Sequence, residues 1–174
     1  MNPELEWLEQ AEAGWAKFEL SHVVLEDNFV SGDKSGHRLT VRYFANEADQ
    51  SLRAKVLLGP GVQGPPGHAH GGSMAALLDE AMGGAAWMRG HMVVAAELTT
   101  RFKKMLPLGT RCIIEAQVVD VNGRKVRTHA VLRDEAGTVF SEGDALFIVI
   151  DPARFGTLAC EAAKIFSLRD AGMK

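Results

Sequence analysis

Cysteine and long apolar runs are scarce in this chain, and each scarcity removes a class of protein. The two cysteines, Cys112 and Cys160, stand far apart with no CxxC or Cys/His spacing near either. That excludes a disulfide framework and the common zinc motifs, and it reads as two reduced thiols in a cytoplasmic protein. No segment has the unbroken apolar length of a transmembrane helix. The opening MNPELEWLEQAEAGW is acidic and has no apolar centre, so it does not read as a secretory signal. A formal net charge of -3 gives no chain-wide attraction to nucleic acid or to an anionic membrane, and an anionic ligand would have to meet a local basic patch. Neither an internal repeat nor a low-complexity tract is present.

What the chain does have is apolar content: 47% of its 174 residues are hydrophobic, enough for one domain with a sizeable core. The stretch that organises them runs from Gly59 to Met88, GPGVQGPPGHAHGGSMAALLDEAMGGAAWM, a Gly/Pro-rich loop followed by a helical segment. From Gly71 to Met88 the only ionisable groups are Asp79 and Glu80. A surface helix needs a polar face and this one lacks it, so other elements must wrap it. Two strands are expected before it, at 37–45 and 52–58, and four after it, at 93–104, 111–121, 125–134 and 138–150, all rich in Val, Ile, Thr and Phe. Pro107-Leu108-Gly109, Asn122-Gly123 and Glu135-Ala136-Gly137 read as hairpin turns between antiparallel neighbours. The expected architecture is α+β, an antiparallel sheet curled round one buried helix.

Apolar residues at helical spacing predict an amphipathic helix over 3–17. Residues 18–30 are mixed in pattern, a strand or an extended cover, and 158–168 read as a closing helix. The domain division is therefore 1–36 for the N-terminal helix and cover, 37–152 for the domain proper, and 153–174 for a tail.

The runs GPPGHAHGGSMAALLDEAMGG, AELTTRFKKMLPLG and VNGRK resemble the hot-dog-fold acyl-CoA thioesterases, especially the branch with a GPPG..HGG loop. The match covers roughly 59–150. The resemblance implies a sheet wrapped round a central helix, dimers that commonly assemble further, and an acyl-coenzyme A substrate.

Thioester hydrolysis needs a carboxylate that attacks or activates water, and donors that hold the oxyanion. Asp79 supplies the first. The helix N-terminus at Gly71 and Gly72 supplies unpaired N–H groups aided by the helix dipole. Eight helical residues separate Gly71 from Asp79, about 12 Å, too far for both to reach one carbonyl. Two antiparallel helices in a two-fold dimer would join Asp79 of one subunit to Gly71 of the other. The expected partners are thus acyl-CoA and a second copy of the chain, as a homodimer or a dimer of dimers, with no cofactor. Glu80, about 100° round the helix, is expected to face elsewhere in a buried or interfacial ion pair, with a supporting catalytic role as the lesser reading. His68 and His70 lack a third ligand and make no metal site; the resemblance assigns His70 to fixing the loop or lining the site. It also matches Arg101, Lys103, Arg124 and Lys125 to substrate-contacting positions, with Arg101 replacing a polar amide residue.

One departure stands out. Many members of the family it resembles carry Ser or Thr on the strand after the helix, beside the catalytic carboxylate, and the resemblance places Ala95 at that position. Two readings compete with a thioesterase: a non-hydrolytic acyl-CoA or lipid-binding hot-dog protein, which Ala95 favours, and a hot-dog dehydratase, which the spacing from HGG to Asp79 disfavours. Met74, Met82, Trp87 and Met88 sit at core spacing and do not name the acyl group.

Overall fold

A computed structural model describes residues 3–18, 28–151, 153–154 and 156. The expected tail helix, residues 19–27 of the mixed segment and Cys160 lie outside the described residues. In chain order the elements are α1 (Pro3–Glu9), β1 (Trp15–Lys17), β2 (Leu39–Asn46), β3 (Leu52–Leu58), α2 (Gly71–Met88), β4 (Val93–Phe102), β5 (Cys112–Asn122), β6 (Lys125–Asp134) and β7 (Val139–Val149). The strands form one antiparallel sheet in the order β1-β2-β3-β5-β6-β7-β4.

The sheet wraps α2, as the apolar helix demands. Leu77, Leu78, Ala81, Met82 and Ala85 are buried, and they meet the inward positions Val41 and Tyr43 of β2, Ala54 and Val56 of β3, Ile114 of β5 and Ala130 of β6 in one cluster. Period-two alternation puts those residues on one face and polar residues on the other. Among the described residues no helix is long and apolar enough to cross a membrane.

A smaller cluster, Trp7, Leu8 and Ile113, lies on the opposite face of the sheet, beneath α1. The helix there is shorter than its spacing suggested. It ends at Glu9, and Gly14, at φ +78, turns the chain so that Trp15 enters a strand paired with β2. A residue with φ above zero closes the turn and glycine takes that conformation without strain.

The expectation of a hairpin at Pro107-Leu108-Gly109 is also overturned. β4 pairs with β7 at the sheet edge, and β5 lies between β3 and β6, so residues 103–111 cross from the edge to the middle of the sheet. The crossing is tied to the Gly/Pro loop: Ala69 donates to the Leu106 carbonyl at 2.8 Å and Leu108 to that of Gly67 at 3.0 Å. The other two turns are hairpins, with Gly123 and Gly137 both at positive φ.

Candidate active site

The start of α2 is built by His70. In extended conformation it is the N-cap, and its Nδ1 accepts the Gly72 N–H at 2.9 Å. Its carbonyl accepts both the Ser73 N–H at 3.0 Å and the Ser73 hydroxyl at 2.7 Å. Two of the first three helical amides are thereby committed, and Gly72 is no longer available to hold a substrate oxygen, contrary to its expected role. The Gly71 N–H is left with no acceptor within the helix. A Cβ at Gly71 would lie 3.1 Å from Cζ of Phe102, so the bare glycine is what lets that ring cover the helix start.

Two turns later α2 presents a cavity of about 340 Å³. Asp79, Glu80, Gly83, Gly84 and Trp87 line it from the helix. Val93, Val94 and Ala95 of β4 and Phe147 of β7 complete it. Asp79 is half-buried, and its Oδ1 is buried with no hydrogen-bond partner among the described residues. Burial, and then the adjacent charge of Glu80, hold its carboxyl above the ordinary value of 3.8. An acid so placed is a better base at neutral pH than a solvated one. Glu80 does not turn away from this site. Its Oε1 accepts from the Tyr43 hydroxyl at 3.3 Å and lies 3.5 Å from that of Ser31. A 100° rotation is too small to leave a cavity that spans this much of the helix. The one tyrosine of the chain, at an inward position of β2, was the overlooked sequence signal, since a buried phenol needs a polar partner.

Ala95 pairs with Phe147 in the β4–β7 ladder and faces the cavity with a methyl group only. A bulge follows, between Ala95 and Glu97. Beyond it Leu98, Thr100 and Phe102 share the helix-facing side, opposite Ala145, Gly143 and Ser141.

The four basic residues do not form one patch within the chain. Lys125 and Val94 both flank Ile148 of β7, at the cavity end, and Arg124 is fixed beside them by donating Nε to the Val149 carbonyl at 3.0 Å. Arg101 flanks Glu142, six residues and about 20 Å along β7. Arg101 is paired with Asp144 at 2.5 Å and Lys103 with Glu142 at 3.0 Å. His68 Nδ1 lies 2.8 Å from the Pro66 carbonyl, within the loop. Among the described residues no group of three His, Cys, Asp or Glu side chains could hold a metal ion.

The model of the Thioesterase superfamily matches residues 66–141, from the Gly/Pro loop into β7. An acyl-coenzyme A thioesterase THEM4 of Xenopus laevis is 35% identical over 122 residues, covering 69% of this chain and 54% of that protein. The chain thus spans about half the length of the curated relatives it matches. A protein of Bacillus halodurans crystallised with CoA is 27% identical at a TM-score of 0.52, covering 56% of this chain and 66% of the other. The crystal structure of a thioesterase superfamily protein is 30% identical at a TM-score of 0.65, covering 83% of this chain and 71% of the other. On the strength of that 30% identity over most of both chains, this chain belongs to the thioesterase superfamily and has its hot-dog fold.

Proposed function

We propose that the protein is an acyl-CoA thioesterase whose working unit is a two-fold dimer. The observation that carries this is the Asp79 carboxylate, raised in pKa and with one oxygen unpartnered, opening on a largely apolar cavity. Such a group removes a proton from water, or attacks directly, beside a thioester carbonyl. The Gly71 N–H, at the positive end of the helix dipole, suits the oxyanion. Xenopus laevis THEM4 is named an acyl-coenzyme A thioesterase and the Bacillus halodurans relative holds CoA, which supports the same substrate class here.

The edge of the sheet supports the dimer. Gly71 lies against Phe102 at one end of β4, and Asp79 shares its cavity with Ala95 near the other, about 20 Å apart along the strand. The outer edge of β4 has no strand partner among the described residues. Val94, Leu98, Phe102 and, just beyond, Met105 are exposed there, more apolar side chain than an isolated edge carries comfortably. Antiparallel self-pairing centred near Leu98 lays Phe102 opposite the partner's Ala95, and so brings Gly71 to the partner's Asp79. The same pairing carries Arg101 and Lys103 toward the partner's Arg124 and Lys125, which reunites the basic residues around one nucleotide.

The test is thiol release from short-, medium-, long-chain and aryl acyl-CoAs by the protein and by Asp79→Asn, with mass in solution measured by light scattering. Turnover that disappears in the variant, from a dimer or larger even-numbered assembly, is the expected result. Acyl-CoA that raises the melting temperature without any turnover would establish the second reading, a non-hydrolytic binder, which the apolar Ala95 favours. An active monomer would overturn the composite site.

A further inference from the structure

A water that is to attack a thioester must be held by more than the base that deprotonates it, since an ordered water takes two to four polar partners. Asp79 supplies one. Ala95, facing it, supplies none. Among the described residues around the cavity, the remaining lining is glycine or apolar, except for the Trp87 indole, which can only donate and reaches the Val93 carbonyl at 3.4 Å. Glu80 is the other side chain there able to accept a hydrogen bond. It is held from behind: Tyr43, buried on β2, donates to its Oε1. Burial and the Glu80 charge push the Tyr43 phenol well above its ordinary value, so it remains a donor through the working pH range.

We propose that Glu80, tethered by Tyr43, is a positioning residue for hydrolysis, the second carboxylate that orients the attacking water against Asp79 in the role for which Ala95 has no polar atom. This rests on the thioesterase reading above. In the step, Asp79 takes one proton from water as the water oxygen bonds to the carbonyl carbon. The carbonyl electron pair moves to the oxygen that the Gly71 N–H meets. Collapse breaks the carbon–sulfur bond, and the thiolate takes the proton from Asp79. Glu80 accepts the water's other O–H throughout and exchanges no proton.

Steady-state thiol release by the full chain tests this with Glu80→Gln, Tyr43→Phe and Ala95→Thr. Glu80→Gln should lower kcat by about 10- to 100-fold, the scale of a misplaced reactant, with little change in KM. Tyr43→Phe, which keeps the ring in the core, should lose less in the same direction, and it carries the test if Glu80→Gln does not fold. Adding Ala95→Thr to Glu80→Gln should recover most of kcat, because the new hydroxyl offers the water a second partner. Among the described residues, the titratable groups facing Asp79 are Glu80 on α2 and, behind it, Tyr43 on β2; Val93, Val94, Ala95 and Phe147 from β4 and β7 do not titrate. The acid limb of the kcat profile should therefore move to lower pH in Glu80→Gln. An unchanged kcat in both Glu80→Gln and Tyr43→Phe would overturn the proposal while leaving the thioesterase reading intact. So would a loss that comes with lower melting temperature, without rescue by Thr and without movement of the acid limb. A wild-type protein that releases no thiol would sink both.

Discussion

Two charged side chains on opposite sides of the sheet, Lys55 and Asp79, are treated by the fold in opposite ways. Lys55, on the sheet face away from α2, is fully buried, and its ammonium donates to the carbonyls of Trp7 at 3.1 Å and Gln10 at 2.8 Å and pairs with Glu12 at 2.6 Å. The Trp7 ring lies 4.8 Å away. These carbonyls end α1, where helical acceptors go begging, so one cation completes the C-terminus of a helix and ties it to the sheet. Asp79, on the other face, is only half-buried, yet one oxygen has no partner among the described residues and its near neighbour is another carboxylate. Where every polar atom is satisfied the group serves stability. Where one is left exposed to like charge in a cavity, it is poised for chemistry.

The sharpest way to separate the two is Asp79→Asn. It should reduce thiol release by roughly 10²- to 10⁴-fold, the range for losing acid–base assistance. It should also raise the melting temperature at neutral pH. The folded protein holds the Asp79 proton more tightly than the unfolded chain does, so ionisation costs stability as pH rises through the elevated folded value. Asparagine has no such cost. The gain should therefore vanish as the pH falls below about 4, where the carboxyl is protonated in both states. Equal melting temperatures across the whole range would mean that the carboxylate is satisfied in solution and not poised.

Lys55→Met probes the other face. Methionine retains the apolar stem and removes the ammonium, taking this donor from the Gln10 carbonyl and leaving that of Trp7 with only the Gln10 N–H at 3.4 Å. The expected loss is about 1–3 kcal/mol, the cost of unsatisfied buried acceptors. That corresponds to a fall of about 2–4 °C in melting temperature for each kcal/mol in a chain of this size. Activity per folded molecule should not change, since α1 lies across the sheet from the cavity. Lost activity at full stability would show that the two faces are coupled.

The central element was legible because its signals agree. A Gly/Pro loop, an N-capping residue and an apolar run without a polar face all point to one helix, and α2 occupies Gly71–Met88 as read. The strands after it were read within two residues at either end. What failed was information that local pattern does not carry. The turn chemistry at Pro107-Leu108-Gly109 says that the chain reverses but not which strands become neighbours, and here it serves a crossing. Arg101 and Lys125, which the resemblance matches to one substrate, flank Glu142 and Ile148 toward opposite ends of β7, a separation that strand order fixes and charge does not disclose. Trp15 has helical spacing from Leu8, but Gly14 was the stronger signal and it sends the chain into β1. The Tyr43–Glu80 contact joins residues 37 apart in sequence, which no periodicity could bring together.

Gly71→Ala refines the site end of the comparison. A methyl in the first turn should not destabilise the helix, because alanine reduces the entropy of the unfolded chain. Its Cβ would stand 3.1 Å from the Phe102 ring, which must then give by a few tenths of an ångström over the amide assigned to the oxyanion. A loss of about tenfold in kcat with unchanged or higher melting temperature is expected, and Phe102→Leu should restore part of it. A kcat equal to that of wild type would show that the ring moves freely and that Gly71 is not bound to remain bare.

The smallest effect should come from a second aspartate whose sign is reversed. Asp144 on β7 is half-exposed, paired with Arg101 at 2.5 Å and with His129 Nδ1 at 2.9 Å, and these partners, Arg101 foremost, hold its carboxyl below the ordinary 3.8. Its contribution to stability is therefore present above that value and is lost as pH falls through the lowered folded one. Asp144→Asn should lower the melting temperature at neutral pH, where Asp79→Asn raises it. Solvent screens the pair, so the loss should stay below about 1 kcal/mol and shrink in high salt. The Asp79→Asn gain has burial as its main cause and should respond much less to salt. Two aspartates on one sheet-and-helix frame, shifted in opposite directions by a guanidinium and by a cavity, would then be told apart by the sign of a melting shift and its dependence on salt.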